Sequence, residues 1–196
     1  ELARLAGTIN YELACLLGRV VRGRSLADIT EKATKEIWEI SGKADPWRLG
    51  PSGGNLFIRK EIFKQIGGFD ESLGPGSIFR SAEDADLIYR VLKIGLLIQY
   101  NPDVVIVHRI WRSEKEDLEK RYGYGLGVGA FLAKYLSLSD PFPLYLFFRR
   151  FYKKPLKFLL GLILLRREML LDGYFWSKGI IQGFWAWNMK KWERWS

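Results

Sequence analysis

Residues 53–108 read GGNLFIRKEIFKQIGGFDESLGPGSIFRSAEDADLIYRVLKIGLLIQYNPDVVIVH, and the order of signals in this stretch decides the fold. Residues 55–58 are a short apolar run after Gly53-Gly54, which predicts a strand. Residues 61–66 predict a short helix closed by Gly67-Gly68. Residues 69–81 are rich in Gly, Pro and Ser and predict a loop. Residues 82–94 predict a helix stopped by Gly95, and 96–100 and 104–108 predict two strands around the turn Asn101-Pro102. This order is a mixed α/β pattern amounting to about one edge of a sheet. No phosphate-binding glycine loop occurs, neither GxxxxGK[ST] nor GxGxxG after a strand.

Outward from this window, Leu2, Leu5, Ile9, Leu13, Leu16 and Val20 recur at three- and four-residue spacing and predict an amphipathic helix over 2–20. A second helix is expected over 25–40, capped by Ser25, with Ile29, Ala33, Ile37 and Ile40 on one face. Asp45-Pro46 and Gly50-Pro51 punctuate a loop. A charged helix is expected from about Ser113 into a glycine-spaced segment over 122–136. There Gly123/Gly127 and Gly125/Gly129 are small-xxx-small pairs, which suit either close helix packing or a hinge.

The chain has 196 residues and a net charge of +9. With 48% hydrophobic and 27% charged residues, it is neither disordered nor a polytopic membrane protein. A single cysteine, Cys15, excludes an internal disulfide and a cysteine-based zinc site. The charge is uneven: residues 1–139 carry a net +2, and residues 140–196 carry +7 together with five of the eight Trp. The longest apolar runs of that tail, 141–148 and 158–165, are eight residues each, against about 20 needed to span a bilayer. Residues 2–17 carry Arg4 and Glu12 and do not read as a signal peptide. Basic residues flank the apolar runs rather than lining a polar face, which favours a membrane surface over nucleic acid as the tail's partner, with packing on the catalytic domain as a third reading.

Glu83, Asp84 and Asp86 cluster at a predicted helix start, after Ser81 as a cap. Acids there stabilise a helix through its first N–H groups, and the same groups keep a carboxylate ionised for use as a general base. Both readings fit the residues. Asp86 has Arg90 one turn on as its expected partner. His108, the only histidine, ends an apolar strand, and one histidine with one carboxylate does not close a metal site.

The ordered set Gly53-Gly54-Asn55, Arg59-Lys60, Gly67-Gly68-Phe69-Asp70-Glu71, Glu83-Asp84-Ala85-Asp86-Leu87, Arg90, Gly95, Tyr100, Pro102 and His108 resembles the family 2 glycosyltransferases. These are inverting enzymes with the A-type glycosyltransferase fold. The Tyr122-Gly-Tyr-Gly-Leu-Gly segment matches the region downstream, so the resemblance covers about residues 52–135.

The resemblance implies an α/β fold: the C-terminal part of an A-type glycosyltransferase fold with a mostly helical C-terminal extension. Residues 1–139 would be half of the catalytic domain, with a helical lead-in over 1–48, a motif core over 52–110 and a helical part over 113–139. Residues 140–196 would be a basic, Trp-rich helical tail.

Function is implied in the same way: transfer of a sugar, with inversion, from a nucleotide-diphosphate sugar to a glycan or lipid-linked acceptor in cell-envelope polysaccharide synthesis. Asp84 would be the general base and Glu83 its support, and Gly53, Gly54 and Asn55 would line the cleft. His108 would help hold a divalent metal, Mn2+ or Mg2+, shared with a D-x-D loop expected ahead of Glu1. Asp84-Ala85-Asp86 also spells D-x-D, but it sits at a helix start rather than in that loop and is not assigned to metal. Asp70 and Glu71 are expected to order the loop rather than react. The chain alone would be inactive, and the enzyme cytoplasmic and peripheral at the inner face of the cell membrane. The alternative is a non-catalytic membrane- or partner-binding module on a degenerate transferase half.

Overall fold

A computed structural model describes residues 13–23, 36–48, 53–109 and 114–193. They fall into two compact units, and the division passes between Phe69 and Asp70, between Glu83 and Asp84, and again after the last strand. The architecture is mixed α/β, with a four-stranded mixed sheet and a helical C-terminal part. The expected boundary at 139/140 is not the observed one, because the tail helices share a unit with the helix before them and with residues 70–83.

The first unit holds strands β1 (Leu13–Gly23), β2 (Trp38–Ile40), β3 (Leu56–Ile58) and β4 (Leu97–Arg109), in the order β2-β4-β1-β3. β1 and β4 pair in parallel, while β3 on β1 and β2 on β4 are antiparallel. Helices α1 (Lys60–Ile66) and α2 (Glu83–Lys93) lie close to their expected bounds. Ile62 of α1 and Ile88, Val91 and Leu92 of α2 pack with Ala14, Cys15, Leu17, Ile40 and Ile98 in one core.

Two expected helices are overturned where the chain is described. Residues 13–23 and 38–40 are strands, so the helical lead-in fails there; residues 1–12 and 24–35 lie outside the described residues. The reason is burial on both sides. Residues 13–17 are all buried, the near-continuous apolar pattern of a central strand, and β3 and β4 satisfy their backbone groups. A helical period read from such a run is ambiguous, and sheet pairing decides it.

The two strands expected around Asn101-Pro102 are one strand with a bulge. The register steps from Gly18↔Asn101 to Arg19↔Val105. Pro102 has no N–H to give the ladder, and Asn101 Oδ1 accepts the Asp103 N–H at 2.9 Å. Gly18 faces the bulge, where a Cβ would overlap Val104 O and the Asn55 amide.

The second unit holds the loop over 70–82, the first residue of α2, and helices α3 (Glu114–Ser137), α4 (Phe142–Phe151), α5 (Lys153–Ile163) and α6 (Arg167–Glu193). α3 runs unbroken through its glycines, so packing rather than a hinge accounts for them. A Cβ on Gly125 would overlap Trp176 O, one on Gly129 would overlap Ile180 O, and one on Gly183 would overlap Leu126 O. α3 and α6 therefore meet backbone to backbone, as small-xxx-small pairs allow. Leu73, Phe79, Leu126 and Ala130 form a core with Tyr122, Ala186 and Trp187. Trp187 packs tilted against Phe79 with ring centroids 5.4 Å apart, so this Trp serves the core, whereas Trp185 is exposed.

Candidate functional site

The loop over 70–82 is held by its own polar groups. Asp70 Oδ1 accepts the Ser72 N–H at 2.9 Å, and Asp70 Oδ2 pairs with Lys134 Nζ of α3 at 2.9 Å. Burial alone would raise the Asp70 carboxyl, but the bonds from Lys134 and Ser72 outweigh it and hold the group below its ordinary value. Ser77 Oγ lies 2.8 Å from both Ser72 O and Gly74 O and accepts the Arg80 N–H at 3.2 Å. Asp70 thus orders the loop, as expected.

The loop ends in strained backbone. Gly74 and Gly76 have positive φ, as glycine permits, but Arg80 (φ 60°) and Ala82 (φ 77°) share that region. A side-chain-bearing residue there costs roughly 1–2 kcal/mol. Ser81 between them does not act as the expected cap: the helix starts at Glu83, preceded by left-handed Ala82. The Ser81 hydroxyl instead donates to Gly123 O of α3 at 2.9 Å. Asp84 is the second helical residue. Glu83 packs its side chain against Gly74, where a Cβ would come within 3.1 Å of it.

In the first unit the acids part company. Asp86 is fully buried and accepts from Arg90 Nε at 2.9 Å, the expected i,i+4 pair. Arg90 also donates to the carbonyls of Ile66, Gly67 and Gly68. One guanidinium thus neutralises the buried carboxylate and closes the C-terminus of α1. Asp84 is half-buried at the start of the same helix. Glu83 and Asp84 are chain neighbours at the division between the units.

Gly53–Asn55 form a single 3-10 turn leading into β3, with Gly54 exposed. Asn55, expected to line a cleft, is 2% exposed. Its Nδ2 donates to Arg19 O at 2.9 Å and Val104 O at 3.0 Å, one carbonyl on each side of the bulge. This side chain pins β1 to β4, while its buried Oδ1 has no hydrogen-bond partner among the described residues. The His108 backbone pairs with Arg22 in the β1–β4 ladder, and its side chain lies outside the described residues.

Among the described residues no three or more His, Cys, Asp or Glu come together as a metal site. Nor is any described helix long and apolar enough to cross a membrane. Cys15 is buried, and burial pushes its thiol up to about 12, so it is no nucleophile.

No family model matches the chain, and searches of curated proteins and of solved structures return no match.

The sequence exposed the Asp86–Arg90 pair through its i,i+4 spacing. It missed the reach of Arg90 to α1, the Asn55 clamp and the Lys134–Asp70 pair. The partners of these contacts lie 22–64 residues apart, and no local period marks them.

Proposed function

We propose that the chain is the acceptor-side half of an inverting, family 2-type glycosyltransferase with an A-type fold. The observation that carries this reading is where the acidic cluster sits. Asp84 lies half-buried in the first turn of α2, and Asp86 two residues on is buried against Arg90. A carboxylate placed there can take a proton from a hydroxyl. The left-handed Arg80 and Ala82 just ahead of it add support, because strained backbone gathers at functional sites.

In this reading Asp84 removes the proton of an acceptor hydroxyl as its oxygen attacks the anomeric carbon. The sugar inverts and the nucleoside diphosphate leaves. Glu83 supports Asp84, the Gly53-Gly54 turn lines the cleft, and Asn55 positions that turn. Metal ligands other than His108, the D-x-D loop among them, would come from sequence outside these residues. The partners are a nucleotide-diphosphate sugar, a glycan or lipid-linked acceptor, and a membrane surface met through residues 140–196.

The test is release of nucleoside diphosphate from UDP-, GDP- and dTDP-linked hexoses by the intact protein in which this chain occurs. Acceptor-dependent release with an inverted product supports the reading; no release from any donor rejects it. A second reading, a non-catalytic membrane- or partner-binding module, draws on the apolar surface that the helical unit leaves exposed. A D-x-D loop in the sequence ahead of Glu1 favours the enzyme, and an unrelated domain there favours the module.

A further inference from the structure

The apolar surface of the second unit concentrates on α5 and the elbow joining it to α6. Leu156, Leu159, Leu160 and Ile163 recur at three- and four-residue spacing, so they share one face of α5, and all are exposed. Leu162, Leu164 and Leu165 extend that surface through the elbow, with Leu165 90% exposed. Polar groups are kept elsewhere: Lys157 bonds to the buried Asp172 of α6 at 2.6 Å, and Arg121 of α3 reaches the same carboxylate at 3.1 Å. A cluster of seven exposed aliphatic side chains is unusual on a protein surface left in water.

The elbow backbone adds an independent observation. Leu165 has φ 50°, a left-handed position that glycine or asparagine would take without cost. A leucine there is strained and exposed at once, so folding in water gains nothing from it. The hairpin behind the elbow is firm: a Cβ on Gly161 would lie 2.5 Å from Leu170 N, and one on Gly173 would overlap the Phe158 backbone. The two helices present the elbow on closely packed backbones.

The described charges around this surface are mostly basic, with exposed Glu168 in the first turn of α6 beside them. Arg149 lies in the last turn of α4, Lys153 opens α5, and Arg166 and Arg167 follow the elbow, all exposed, and residues 140–196 carry a net +7. We propose that α5 lies along the surface of an anionic lipid bilayer, with its leucine face and the elbow sunk into the acyl region and the basic residues at both ends on lipid phosphates. This deepens the membrane-surface part of the reading above and rests on it, but not on the transferase part.

The test uses the 196-residue chain with no donor or acceptor. The parent chain is floated with vesicles of phosphatidylcholine alone and of 3:1 phosphatidylcholine–phosphatidylglycerol. Leu165→Cys carries an environment-sensitive NBD label, which buried Cys15 does not take up in the folded chain. The inference expects flotation with the anionic vesicles, an NBD blue shift on binding, and quenching by spin-labelled acyl chains. Leu159→Asp with Leu165→Asp should weaken partitioning at least roughly tenfold. Arg166→Gln with Arg167→Gln should weaken it about 30-fold on anionic vesicles. All four side chains are exposed, and circular dichroism checks that the variants fold.

Parental flotation by both variants, or an unshifted label in a floating chain, overturns the placement of α5 but leaves membrane binding standing. No flotation of the parent chain overturns both. A lipid-free dimer that the Asp variants dissolve assigns the face to a second copy and overturns the proposal. None of these outcomes bears on sugar transfer.

Discussion

Replacing Arg90 with alanine takes away the guanidinium whose Nε donates to Asp86 at 2.9 Å. The Asp86 side chain is 0% exposed, so its charge has no water to turn to, whereas Arg90 keeps 19% exposure. Leaving a buried carboxylate without its cation costs about 3–5 kcal/mol. The carbonyls of Ile66, Gly67 and Gly68 lose their donor as well, though the last two are exposed enough to rehydrate. Asp86→Asn should cost less, about 1–2 kcal/mol, because the amide oxygen still accepts from Nε and the freed charge is partly solvated. Arg90→Lys should fall between the two, since one ammonium cannot serve a carboxylate and three carbonyls at once. The double variant Asp86→Ala with Arg90→Ala should cost less than the sum of its parts. Urea titration followed by circular dichroism measures each value. A cost below about 1 kcal/mol for Arg90→Ala, or a larger cost for Asp86→Asn than for Arg90→Ala, would refute the clamp.

Gly183→Ala should destabilise the helical unit by roughly 1–3 kcal/mol, because its methyl would overlap Leu126 O of α3. Gly68→Ala, where nothing lies within 4 Å of the new methyl, should stay within about 0.5 kcal/mol of the parent, and thermal melts compare the two. Asp70→Asn should remove about 1–3 kcal/mol at neutral pH, the value of a half-buried charge-assisted bond to Lys134. The Asp70 carboxyl is held below its ordinary value of 3.8, so its stabilisation is present above that pH and fades as pH falls through the folded value. Stability curves of parent and variant should therefore converge below about pH 4; a constant gap down to pH 2 would contradict the pairing.

What the sequence revealed follows from how local each cause is. α1, α2 and β3 were legible because their apolar period, glycine stops and i,i+4 charges all lie within a few residues. The glycine spacing of α3 left close packing and a hinge both open, and only the partners Gly179 and Gly183 on α6 decide between them. β1 misled because a strand buried on both faces carries apolar residues at helical spacing too. Asn101-Pro102 misled because the same residues suit a turn or a bulge, and only Gly18 and the Asn55 amide opposite decide it. The same holds at the acidic cluster: spacing paired Asp86 with Arg90, but the hydroxyl of Ser81 turns to Gly123, 42 residues away.

The most direct measurement for the central proposal is the initial rate of sugar transfer by Asp84→Asn in the intact protein, with donor binding measured on the same sample. A general base contributes about 10²- to 10⁴-fold, so the rate should fall by that factor while the donor dissociation constant stays within about twofold. Transfer by Asp84→Asn at the parental rate would contradict the account.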